Sequence, residues 1–155
     1  MKKEKEKFIE PWIDFNGWQN KDFDQVKTPC YLIDEKKLKK NLLILSEIQK
    51  KTGCRILMAL KGFAMWKLFP LISKYLWGVS ASSLHEARLG FEEFGKEVHI
   101  YSPAYLESEF EEIMSYCDHI IFNSFSQWEK YRKKLLKNKN KKHISCGIRV
   151  NLEHS

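Results

Sequence analysis

Lys61 stands alone among apolar residues in the stretch LMALKGFAMW, Leu57 to Trp66. A buried ammonium group loses its hydration and must be paired or neutralised. Desolvation lowers a lysine's pKa, and the neutral amine is a nucleophile towards aldehydes. The competing reading is a lysine at a strand end, its methylenes along apolar surface and its ammonium in water. A second cation, Arg149, lies in ISCGIRV, where a strand arginine calls for an anionic or aromatic partner. Glu86 follows Ser83 by three residues in SSLHEA. That is the spacing of a capping box, which offers its carboxylate a structural use beside any chemical one.

Other chemistries find less support. Cys30, Cys54, Cys117 and Cys146 are scattered and form no C-x-x-C pair, so the usual zinc and redox signatures are missing and no metal site is expected. They read as reduced thiols of a cytoplasmic protein. The net charge of +7 is local: eight of the 27 Lys and Arg lie between Lys130 and Lys142, a stretch with no acidic residue. The segment reads as the cationic end of a helix and a polar loop. A nucleic-acid patch is the weaker reading, because beyond Tyr131 no aromatic residue there offers a stacking surface. The charged start MKKEKEKFIEPW lacks the apolar centre of a signal peptide, and no apolar run approaches the ~18 residues of a membrane span.

The elements that must position Lys61 follow from periodicity. Residues 1–27 show no sustained period and read as an irregular extension; residues 28–155 form the organised part. TPCYLID is expected to be a short strand, after which Asp34 stands at a helix N-cap. Leu38, Leu42, Leu45 and Ile48 recur at helical spacing until Gly53 closes the helix. Strands are then expected to begin near Ile56, Val79, Val98, His119 and Ile144, at intervals of 19 to 25 residues. Such intervals accommodate a strand, a turn, a helix and a turn, hence a parallel sheet with helical crossovers. Ser83 with Glu86 and Ser124 with Gln127 mark tight strand-to-helix turns.

Two α/β architectures fit, a five-stranded doubly wound domain or part of a (β/α)8 barrel. Parity favours the barrel. Ile56, Met58 and Leu60 share one face of their strand and Leu57, Ala59 and Lys61 the other; Ser145, Gly147 and Arg149 likewise oppose Ile148 and Val150. A face of small residues ending in a cation describes a barrel interior opening onto a site, whereas doubly wound strands are more often apolar on both faces. His99 and Tyr101 face inward by the same count, with a packing role the simpler reading. No G-x-G-x-x-G follows a strand, which disfavours a dinucleotide site. A barrel needs eight strands, so a chain of five is expected to be incomplete.

Six segments, TPCYLIDEKKLKKNL, ILMALKGFAMW, GVSASSLHEARLG, EVHIYSPAY, HIIFNSFSQWEKY and ISCGIRVNLEHS, together resemble the carboxynorspermidine decarboxylase family. These enzymes belong to the alanine racemase-like and ornithine decarboxylase-like (fold type III) barrels that use pyridoxal phosphate. The resemblance implies that Lys61 holds the cofactor covalently, and that Glu86 and Arg149 lie near it. It implies decarboxylation of carboxynorspermidine or carboxyspermidine in polyamine biosynthesis, by a homodimer with no membrane or nucleic-acid partner. By the same resemblance the chain alone is an inactive fragment comprising about the first five strands of a TIM-like barrel. TPCYLID would then be one strand of an absent C-terminal β-domain. Another fold type III enzyme (a racemase, another amino-acid decarboxylase or a pyridoxal phosphate carrier) and a basic nucleic-acid-binding domain are the alternatives.

Overall fold

The structure, a computed structural model, describes residues 26–27, 29–138 and 143–152. They fall into two units whose boundary in the chain lies between Asp34 and Glu35. In the first, residues 29–34 have no regular secondary structure, and Tyr31 is 94% exposed. Over residues 29–34, the described part of TPCYLID, the expected strand is therefore not formed. A strand is stable only where a neighbour takes its ladder hydrogen bonds, and no such neighbour exists among the described residues.

The second unit opens with α1 (Glu35–Thr52), which has Glu35 in its first turn and Lys50 and Lys51 in its last, the order that its dipole favours. Gly53 ends it at φ 71°, donating its N–H to the Gln49 carbonyl at 2.9 Å, a left-handed cap that glycine adopts without strain. The Gln49 side chain ties this end to two later parts of the unit, donating to the Tyr75 carbonyl at 2.7 Å and accepting from the Ile56 N–H at 2.8 Å. Of the apolar stripe expected on α1, Leu42 alone is buried, while Ile48 is 42% exposed.

Five strands come after it, β1 (Leu57–Ala59), β2 (Gly78–Ala81), β3 (Glu97–Tyr101), β4 (His119–Phe122) and β5 (Ser145–Ile148). All neighbours are parallel and the spatial order is the chain order. A doubly wound sheet reverses its order at a switch point, whereas a barrel never does; this sheet is an unclosed part of a barrel. The crossovers are short: α2 (Phe69–Ile72) after a 3-10 turn, α3 (Leu84–Leu89) continuing into a π turn over Gly90–Phe94, α4 (Phe110–Tyr116) and α5 (Phe125–Leu136).

The two faces differ as the parity predicts. Val79, Ala81, Val98, Ile100, Ile120 and Phe122 are buried, whereas Ser80, Glu97, His99, Tyr101 and His119 on the opposite face are only partly so. Beyond the buried face, Tyr105, Phe110, Phe122 and Tyr131 form an aromatic core in which Phe110 and Tyr131 stack at 4.0 Å. The polar tips are satisfied, since the Tyr131 hydroxyl donates to the Tyr105 carbonyl at 2.6 Å and the Tyr105 hydroxyl to the Ile121 carbonyl at 2.8 Å. Burial holds the Tyr105 phenol well above its ordinary pKa, so it remains a donor. This core fixes the strands from behind and leaves the polar face to present its side chains.

Candidate active site at the carboxyl edge of the sheet

Because all five strands run the same way, their carboxyl ends form one edge. Lys61 lies in the turn that leaves β1. Leu60 donates its N–H to the Ser80 carbonyl at 3.0 Å and is buried, while Gly62 and Phe63 both donate to the Ala59 carbonyl, at 3.0 and 3.1 Å. The tight turn sends the residue after Leu60 outward, and Lys61 is exposed. The expectation of a desolvated amine is therefore not met in this chain. The reason is geometric: the interior of a barrel is dried by strands opposite, and five strands leave it open.

Glu86 lies in the first turn of α3. Its own N–H donates to the Ser83 Oγ at 3.2 Å, and its Oε2 accepts from the Ser82 N–H at 2.7 Å. At the head of α5 the same pattern recurs with an uncharged residue: Gln127 donates its N–H to the Ser124 Oγ at 3.2 Å and its Oε1 accepts from the Asn123 N–H at 2.7 Å. Capping thus accounts for the position of Glu86. Both boxes reach the residue before the N-cap, holding the loops after β2 and β4 in one conformation.

Arg149, just beyond β5, donates its backbone N–H to the Phe122 carbonyl at 2.8 Å and its Nη1 to the Tyr101 hydroxyl at 2.8 Å. Its guanidinium carbon lies 4.8 Å from the Tyr101 ring centroid. The Tyr101 hydroxyl donates in turn to Asn123 Oδ1 at 2.7 Å. Arginine therefore has the ring partner that its position called for, although it is exposed rather than buried. The chain of hydrogen bonds crosses the ends of β5, β3 and β4 and gives a planar cation a set orientation. Asn123 in this relay was not legible from the sequence.

Lys61, Glu86 and Arg149 thus share one edge, on β1, β2–α3 and β5, and none is paired with another among the described residues. They offer an accessible amine, a carboxylate and an oriented guanidinium, but β1 and β5 are the two ends of the sheet, so three strands stand between Lys61 and Arg149.

Towards the amino ends of the same face lies a second cluster. Glu97 Oε2 is 3.0 Å from His99 Nε2 and 3.6 Å from His119 Nε2, and the imidazoles stack at 3.9 Å. Glu97 Oε1 meets Arg55 Nη1 at 3.1 Å. Burial opposes charge on Glu97, but hydrogen bonds from Trp77 and His99 and the charge of Arg55 outweigh it and lower its pKa. Burial, reinforced by His99, lowers that of His119. The packing role expected of His99 gives way to this polar contact, which arises because β3 and β4 pair His99 directly with His119. That register is not written in either strand alone.

The basic run of α5 is partly neutralised by acids. Lys130 and Lys134 approach the Glu107 carboxylate at 3.6 and 3.5 Å, and Arg132 approaches Glu129 at 3.2 Å. Among the described residues no helix is long and apolar enough to cross a membrane.

No family model matches the chain. It is 42% identical over 140 residues, 90% of its length, to the carboxyaminopropylagmatine decarboxylase of Synechocystis sp., of which it covers 35%. It is 42% identical over 106 residues to the carboxynorspermidine/carboxyspermidine decarboxylase of Herminiimonas arsenicoxydans, covering 68% of this chain and 29% of that one. The corresponding enzyme of Campylobacter jejuni is 41% identical over 133 residues, 86% of this chain and 33% of that one. The crystal structure of a Campylobacter jejuni carboxynorspermidine decarboxylase complexed with norspermidine superposes with a TM-score of 0.77 at 42% identity, over 84% of this chain and 34% of that one. The chain therefore spans about a third of the length of these relatives, and along that span it is similar to them in both sequence and fold.

Proposed function

We propose that this chain carries the lysine-bearing portion of a pyridoxal phosphate-dependent decarboxylase that acts on carboxylated polyamines in polyamine biosynthesis. The observation that carries the reading is the 42% identity over 90% of the chain, taken together with the place of Lys61 at the carboxyl end of β1. The residues present suit the cofactor, because an aldehyde needs an amine and a phosphorylated pyridine needs cationic and hydrogen-bonding neighbours. When bound, pyridoxal phosphate supplies the electron sink that takes up the pair left behind by departing carbon dioxide.

The chain's own residues orient and hold. Lys61 provides the attaching amine, on a turn whose two hydrogen bonds to Ala59 fix its direction. Arg149, steadied by Tyr101 and Asn123, presents a flat cation to the ring or to an anionic group. Glu86 faces the same edge with one oxygen held by Ser82. Further strands closing the barrel would dry this edge. On this reading the organised part runs from residue 28 to 155, after an extension of residues 1–27. The protein works as a cytoplasmic homodimer; Cys30, Cys54, Cys117 and Cys146 form no disulfide among the described residues, in keeping with a reducing compartment.

A second form of the substrate reading has its own support. The Synechocystis relative is named for carboxyaminopropylagmatine, so a guanidino-bearing carboxylate joins carboxynorspermidine and carboxyspermidine as a candidate. The test of the shared reading uses the protein as its gene encodes it. Visible absorbance of the bound cofactor, its loss on borohydride reduction and a label retained on the peptide containing Lys61 are expected. Lys61→Ala abolishes both colour and label, and a label at any other lysine overturns the reading.

A further inference from the structure

We infer that Glu97, His99 and His119 form a binding site for a divalent transition-metal ion of the zinc class, at the end of the sheet opposite Lys61. One ligand atom from each residue lies within 4.8 Å of the other two. A tetrahedral zinc ion with bonds near 2.0–2.1 Å to nitrogen and oxygen sets its ligand atoms about 3.3 Å apart. The two measured edges, 3.0 Å from Glu97 Oε2 to His99 Nε2 and 3.6 Å to His119 Nε2, bracket that value. The stacked imidazoles bring their Nε2 atoms to the same carboxylate oxygen, and rotation of the rings out of the stack turns both in-plane lone pairs onto one ion seated over the triangle.

The surroundings support a metal rather than a purely hydrogen-bonded cluster. Both imidazoles face a single oxygen of one carboxylate, and an ion satisfies all three groups by accepting a lone pair from each. Arg55 holds the other oxygen, Oε1, at 3.1 Å and is itself seated 4.4 Å over the Trp77 ring. An outer partner of that kind fixes the rotamer of a ligating carboxylate. The side chains are 22% (His99), 26% (Glu97) and 29% (His119) exposed in this chain, low enough to be held. All three are anchored on paired strands, His99 directly across from His119, so the ion would cross-link β3 and β4. Two histidines and a carboxylate leave coordination positions for water.

Cobalt(II) and zinc(II) alone are the probes. The protein as its gene encodes it, stripped with chelator, is expected to take up one equivalent of cobalt with a visible ligand-field band, which zinc abolishes. Glu97→Gln, His99→Gln and His119→Gln, each checked for retained circular dichroism, weaken uptake at least tenfold, whereas Cys54→Ser and Cys146→Ser leave it unchanged. A readout on the unmutated protein covers any variant that fails to fold: zinc is expected to protect His99 and His119, but not the exposed His85 and His143, from acylation by diethyl pyrocarbonate. Absence of saturable uptake, uptake that survives the three substitutions, or absence of selective protection would each overturn the assignment.

Discussion

Arg149 and Tyr101, 48 residues apart in sequence, meet through a 2.8 Å hydrogen bond while the guanidinium lies 4.8 Å from the ring centroid. Two separate interactions thus set the orientation of one cation at the edge that also carries Lys61.

Removing either interaction is expected to loosen that cation. Tyr101→Phe keeps the ring and loses the hydroxyl, so, on the proposed cofactor reading, the affinity for pyridoxal phosphate should fall several-fold. Arg149→Ala should cost about tenfold or more, in line with about 1.5–3 kcal/mol for hydrogen bonds to charged groups. Arg149→Lys should not restore it, because an ammonium lacks the planar donor fork. Absorbance titration with the cofactor checks all three.

The aromatic core behind the sheet should contribute strongly to stability. Phe110→Ala should destabilise by about 3–5 kcal/mol, because Phe110 is fully buried against Tyr105, Phe122 and Tyr131. Phe125→Ala, at a side chain 74% exposed, should stay within about 0.5 kcal/mol. Urea midpoints of the two variants separate these outcomes.

The two capping boxes should behave alike. Ser83→Ala and Ser124→Ala each remove the oxygen that accepts a first-turn N–H, at about 1 kcal/mol apiece. The sites head different helices, so the double variant should show the sum. Equal losses in chemical denaturation would place both boxes in the same structural class.

Acid should weaken the protein in two stages when chelator keeps metal away. His119 has a lowered pKa in the folded state, so below its unfolded value, about 6.5, the unfolded chain binds the proton first and stability drops. Glu97 is also lowered; its contribution is present above the ordinary glutamate range and disappears as pH falls through the depressed value. Unfolding midpoints should therefore hold from pH 8 to about 7, decline below about 6.5, and decline again below the ordinary glutamate range. His119→Gln should flatten the upper part and Glu97→Gln the lower.

Much of this protein is legible in its sequence because neighbouring residues decide it. The interval between apolar runs sets five parallel strands, alternation assigns Tyr101 and Arg149 to the polar side, and Ser83 with Glu86 and Ser124 with Gln127 cap their helices at the expected places. These are local periods, written in consecutive residues. What only the tertiary structure decided depends on partners distant in the chain. Register put His99 beside His119 and drew Glu97 to both, and the crossing of three strand ends joined Arg149, Tyr101 and Asn123. The openness of five strands left Lys61 hydrated, and the lack of a neighbouring strand among the described residues left residues 29–34 without a ladder. Hydrogen-bond pairing and burial are properties of what lies opposite, and no periodicity along one strand can state what that is.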